Sequence, residues 1–141
     1  MARLKKPPQC SFFRLTIQTQ IHRTESADKL EAAFKNMIQL SETYVERQSI
    51  LVGISNQVES LAMIYEQVRA RRSVSVLRRM LMNNLEGNTT YFLLNKQAAA
   101  TGVVALIDRE GESPLGGLRI QLQCYPIQQV IDWLTYTLHG D

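Results

Sequence analysis

The feature that most constrains this chain is a pair of one-sided strand patterns lying far apart in the sequence. Phe13, Leu15, Ile17, Thr19 and Ile21 alternate with Phe12, Arg14, Thr16, Gln18, Gln20 and His22. Leu118, Ile120, Leu122 and Cys124 alternate in the same way with Arg119, Gln121 and Gln123. Successive side chains of a strand point to opposite faces, so each segment has one apolar and one polar face. Such strands suit an antiparallel sheet that is covered on one side only.

Helical stripes supply the cover. Leu30, Ala33, Phe34, Met37 and Ile38 share one face of a helix over 27–38, with Thr24 or Ser26 as its cap. Leu61, Ile64, Tyr65 and Val68 define a second helix over 57–72. Ser73 can cap a third, over 74–85, with Val74, Leu77 and Leu81 inward and Gly87 as its C-cap. One long helix running through Ser73 is the alternative. Pro126 opens a last helix as its first residue, with Ile127, Val130, Ile131, Leu134 and Leu138 buried and Trp133 alongside.

Residues 44–48 and 50–55 read as a strand pair or one bent strand, in which Gly53 permits a close approach or a bulge. Residues 89–94 read as a central strand and 103–107 as another. The glycine- and proline-bearing stretch 108–117 reads as a hairpin loop. The sum is an α+β two-layer sandwich: an antiparallel or mixed sheet of about five or six strands, with helices on one face. Residues 1–8 read as a flexible basic arm ending in Pro7-Pro8, and 9–141 as a single domain.

Composition excludes several classes. Apolar residues make up 45% and charged residues 21% of 141, which are ordinary globular values. The apolar runs are too short to span a membrane. No secretory h-region follows the basic start, so the expected setting is cytoplasmic, with Cys10 and Cys124 reduced. The net charge of +3 is a mild basic bias, so what matters is where the charge lies.

Three constellations can carry binding chemistry. Arg69, Arg71, Arg72, Arg78 and Arg79 form a run with no acid between Glu66 and Glu86. A guanidinium fork suits phosphate, although a solvated helix face has the same pattern. On a helix over 74–85, Arg72 and Arg79 project away from the core, one heptad apart. The second constellation is the polar sheet face, where Arg14 and Arg119 stand among glutamines that can read base edges. Phe12 and Tyr91 are its aromatic candidates; a merely wet face, or one paired with a second subunit as a homodimer, reads the same way. The third is the strand-end triplet Asn95, Lys96 and Gln97, beside the loop 112–117. Lys96 can meet a phosphate there, or the triplet can close the strand end through backbone bonds.

Enzyme signals are sparse. Neither His22 nor His139 has cysteine or carboxylate neighbours at metal-ligand spacing, so no metal or cofactor is expected. No phosphate-cradling glycine loop or nucleophile elbow occurs. Glu110 and Glu112 lie in a loop without a rigid frame.

The blocks Leu85-Glu86-Gly87-Asn88-Thr89, Leu94-Asn95-Lys96-Gln97-Ala98-Ala99, Glu112-Ser113-Pro114-Leu115-Gly116 and Val130-Ile131-Asp132-Trp133-Leu134 keep a distinctive order. They resemble the signature blocks of an uncharacterised archaeal family that goes under a heading of RNA-binding or exosome-related protein. The resemblance covers about residues 14 to 138, and it implies a fold similar to that of ribosomal protein L-five, a cytoplasmic setting and an RNA partner. It supplies no catalytic residues. Gly117 stands where family members often show proline, and the basic arm is longer than theirs. The leading expectation is therefore a small, non-enzymatic RNA-binding protein. The alternative is a protein-interaction or homodimerisation module.

Overall fold

The structure is a computed structural model that describes residues 6–112 and 115–136. Its frame is a six-stranded sheet in the order β2-β3-β1-β6-β4-β5, with every neighbouring pair antiparallel. The strands are β1 (Phe12–Gln20), β2 (Glu42–Glu46), β3 (Ile50–Ser55), β4 (Thr89–Asn95), β5 (Leu106–Ile107) and β6 (Gly117–Tyr125). The helices are α1 (Ala27–Met37), α2 (Ala62–Ala70), α3 (Val74–Asn83), α4 (Lys96–Ala100) and α5 (Ile127–Leu134). Helices cover one face and leave the other open, so the two-layer α+β reading holds.

The two alternating segments are the neighbours β1 and β6, in register from Phe12 opposite Tyr125 to Gln18 opposite Arg119. Leu15, Ile17, Leu118, Ile120 and Leu122 are fully buried under the helices, with Phe34, Leu61, Leu77, Leu81 and Ile131 facing them in the same core. Gly53 makes the close approach and no bulge, since β3 keeps its register with β1 through it. A Cβ there would stand 2.6 Å from Leu40 Cδ1, so glycine is what lets Leu40 pack over the sheet.

Several boundaries differ from the sequence reading, for local reasons. The helix expected from residue 57 begins as a 3-10 turn, Val58–Leu61, and ends at Ala70. Arg72 has φ 53°, a left-handed conformation that no α-helix continues through, so α2 and α3 are separate. Arg72 and Arg79 therefore do not lie one heptad apart on one helix. Gly87 is not the C-cap of α3. The helix stops at Asn84, whose side-chain amide donates to the Tyr91 carbonyl. Gly87, at φ 61°, instead takes the first turn position between Glu86 and Thr89, which bond reciprocally.

Residues 108–116 do not close a hairpin, because β4 lies between β5 and β6. They form a crossover containing a 3-10 turn, Glu110–Glu112, and Glu112 Oε1 accepts from the Asp108 and Arg109 amides. Residues 103–105 are outside any strand, which leaves β5 short. Pro126 sits at the N-cap of α5 rather than inside it. Helix α4 went unread, although Asn95 followed by an alanine run is a cap-and-helix signal. Leu138, His139, Ser113, Pro114 and the first part of the basic arm lie outside the described residues.

Candidate nucleic-acid interface

The candidate residues do not converge on one site; they fall into three places. The helical arginines sit on the covered side, and most are engaged by the protein itself. The Arg69 guanidinium lies 3.4 Å from the centre of the Tyr65 ring, and Tyr65 stacks on Trp133 at 5.0 Å. Its nitrogens donate to the carbonyls of Tyr65, Leu134, Trp133 and Tyr136. Arg69 is thus a cationic cap on the carbonyl end of α5, where the helix dipole favours positive charge. Arg78 donates to Asp132 Oδ1 and Thr135 Oγ1, both at 3.0 Å, and ties α3 to α5. Arg79 pairs with Asp108 at 3.2 Å in an exposed setting. Arg71 and Arg72 are exposed in the α2–α3 turn and make no ion pair among the described residues.

The strand-end triplet is mostly structural. Asn95 caps α4 by accepting from the Ala98 amide at 2.9 Å. Lys96 is only 3% exposed, and its ammonium donates to the Gln20 carbonyl at 2.7 Å and to Glu25 Oε1 at 3.0 Å. The same Glu25 oxygen accepts from the His22 amide, and His22 Nε2 meets the Leu115 carbonyl at 3.0 Å. This network laces the end of β1, the start of α1 and the crossover together, so Lys96 is not presented to a ligand. Gln97 is exposed on α4.

The open sheet face holds the rest. Arg14, Gln123 and Thr89 stand in one row across β1, β6 and β4. The next row is Thr16, Gln121 and Tyr91, and the one beyond is Gln18, Arg119 and Leu93. The Arg119 guanidinium lies over the Tyr91 ring, its carbon 3.9 Å from the ring centre, a cation–π contact that keeps it close to the sheet. On this face β1, β6 and β4 present no carboxylate; Glu42 and Glu46 appear only on edge strand β2. The face is not uniformly polar. Val52 and Ile54 on β3 are buried between their strand neighbours.

Sequence reading missed part of the aromatic complement. Tyr125 ends β6 on the open face, 59% exposed, directly opposite Phe12 at 49%. Tyr44 on β2 is exposed as well. The signal for Tyr125 was present, since it continues the Arg119, Gln121, Gln123 alternation by one step; only its nearness to Pro126 hid it. Among the described residues no group of histidine, cysteine or acidic side chains is placed to hold a metal ion. No described helix is long and apolar enough to cross a membrane.

An antiparallel α+β sheet with helices on one face and the other face open belongs here to a known class: residues 14–123 match the family model described as RNA binding. The chain belongs to that family, and with it to the archaeal UPF0201 proteins. It is 34% identical over 125 residues to the UPF0201 protein of Sulfurisphaera tokodaii, covering 86% of each chain. It is 30% identical over 131 residues to a Saccharolobus islandicus UPF0201 protein, covering 90% of each. The crystal structure of the Methanococcus jannaschii UPF0201 protein shares the fold at TM-score 0.72 and 22% identity, over 91% of this chain and 97% of that one. A DUF54 protein of Archaeglobus fulgidus does so at TM-score 0.66 and 17% identity, over 88% and 98%.

Proposed function

We propose that this protein is a cytoplasmic, non-enzymatic RNA-binding protein of ribosomal L-five-like fold, and that its open sheet face is the RNA-contacting surface. One observation carries the reading. Arg14 and Arg119 stand among glutamines on the carboxylate-free part of that face. The membership in a family described as RNA binding supports it. Arginines there position phosphates and glutamines meet base or sugar edges. The helical arginines contribute less, because Arg69, Arg78 and Arg79 already serve carbonyls and carboxylates.

A salt series on an RNA oligonucleotide tests it. Log affinity should fall linearly with log salt, and Arg14→Ala with Arg119→Ala should flatten the slope by about one to two units. Arg78→Ala should leave the slope nearly unchanged. Absence of RNA binding at about 50 mM salt, where the electrostatic attraction is strong, would overturn the reading. Homodimerisation through the same face would then take its place, and sedimentation at micromolar concentration reports it.

A further inference from the structure

We infer that the open face takes single-stranded RNA in particular, with unpaired bases stacked on Phe12 and Tyr125 and on the Arg119–Tyr91 pair. The inference rests on the RNA reading above and adds the conformation of the ligand and the residues that select it.

The argument starts from two apolar rings left in solvent. Phe12 and Tyr125 are Cα partners at one end of the β1–β6 ladder. They stay 49% and 59% exposed while the equivalent positions on the other face are buried. Neither ring has a stacking partner among the described residues. A large aromatic kept exposed beside a cation is the chemistry of a base platform, because every base has a π-face. Arg14 occupies the next row, within reach of a phosphate joined to a base on that platform.

The second platform is built differently. The Arg119 guanidinium carbon sits over the Tyr91 ring, 3.9 Å from its centre, and a guanidinium can offer its plane to a base and its N–H edge to a phosphate. Tyr91 pairs with Gln121, four residues along β6 from Tyr125 and one strand across. At about 3.3 Å per residue and about 4.8 Å per strand, the platforms are roughly 14 Å apart, a span of about two to three extended nucleotides. Gln121 and Gln123 lie on β6 between them, with amide groups for base edges.

A duplex cannot stack on these platforms. Its bases are already stacked on one another, so it offers phosphates, 2′-hydroxyls and minor-groove base edges but no free base faces. A second copy of the chain is disfavoured by charge. A twofold contact over these rows would set arginine-bearing, carboxylate-free surface against itself.

The test compares wild type with the double variant Phe12→Ala, Tyr125→Ala, using a fluorescent uridine-rich single strand and a hairpin-capped RNA duplex of equal phosphate number. The wild type should prefer the single strand by tenfold or more. The double variant should lose roughly tenfold or more on the single strand, while its salt slope and its duplex affinity stay put. Phe12→Trp with Tyr125→Trp should restore binding, which guards against a trivial folding defect. Ultraviolet crosslinking to uridine should map to the peptides bearing Phe12 and Tyr125. RNA binding that is equal for both probes and indifferent to the double variant overturns the stacking inference but leaves the RNA reading intact. No RNA binding at about 50 mM salt removes both. A double variant that loses self-association rather than RNA affinity assigns the rings to an interface between copies and also overturns it.

Discussion

Lys96 and Glu25 form a buried ion pair, 3.0 Å between Nζ and Oε1, with side chains only 3% and 11% exposed. The Gln20 carbonyl shares the ammonium and the His22 amide shares the carboxylate. A lysine whose sequence position allows either a phosphate contact or a strand-end closure is here a lace between strand, helix and crossover. Removing one partner leaves the other charged and buried. Lys96→Ala should therefore cost about 3–5 kcal/mol in urea unfolding. RNA affinity of the folded fraction should be unchanged. A cost below about 1 kcal/mol would mean that the pair is not buried in solution.

Arg69 makes a second prediction of the same type. Its guanidinium serves carbonyls at the end of α5 and stacks on Tyr65. Arg69→Lys keeps the charge but loses the planar fork and the ring contact. It should destabilise by about 2–3 kcal/mol, while Arg71→Ala and Arg72→Ala should each stay within about half a kcal/mol. Equal effects at all three positions would contradict this division of roles.

The β2–β3 hairpin stores strain that substitution can relieve. Arg47 and Gln48 both have positive φ, 52° and 62°, with Ser49 N–H donating to the Glu46 carbonyl. That is the turn for which Asn-Gly is favoured, and ordinary L-residues resist the conformation. Arg47→Asn combined with Gln48→Gly should raise stability by about 1 kcal/mol, read as an upward shift of the thermal midpoint. A fall would show that the two side chains contribute contacts worth more than the strain.

Cys124 supplies a pH dependence. Burial, then the Cys10 thiol beside it, pushes Cys124 up to about 12 from an ordinary 9.0. The sulfur atoms lie 2.9 Å apart, and both cysteines are free. The folded state thus holds its proton more tightly than the unfolded chain. This contribution is fully present below pH 9.0 and is lost as pH rises toward about 12. Cys124→Ser should remove that part of the alkaline loss in pH-jump unfolding. Iodoacetamide at pH 8 should leave Cys124 unmodified in the native protein, since the thiolate is the reactive form. Rapid labelling of Cys124 under native conditions would refute the assignment.

What the sequence determined by itself is what depends on near neighbours. Strand alternation placed Ile17 and Ile120 inside and Gln18 and Gln121 outside, because side-chain direction follows the backbone's own period. Helical stripes located Phe34, Leu77 and Ile131 in the core for the same reason. The tertiary structure alone decided which segments became neighbours. Local pattern carries no information about strand order, so the 108–116 crossover read as a hairpin until β4 was seen between its ends. It also decided what each polar group meets. Arg69 finds the end of α5, Lys96 finds Glu25, and Arg78 finds Asp132, each across a long sequence separation. Those pairings turned candidate ligands into structural ties, and the meeting of Phe12 with Tyr125 produced the exposed aromatic pair. A charge or a ring acquires its role from what the fold brings within a few ångströms of it, and that distance is a property of the whole chain.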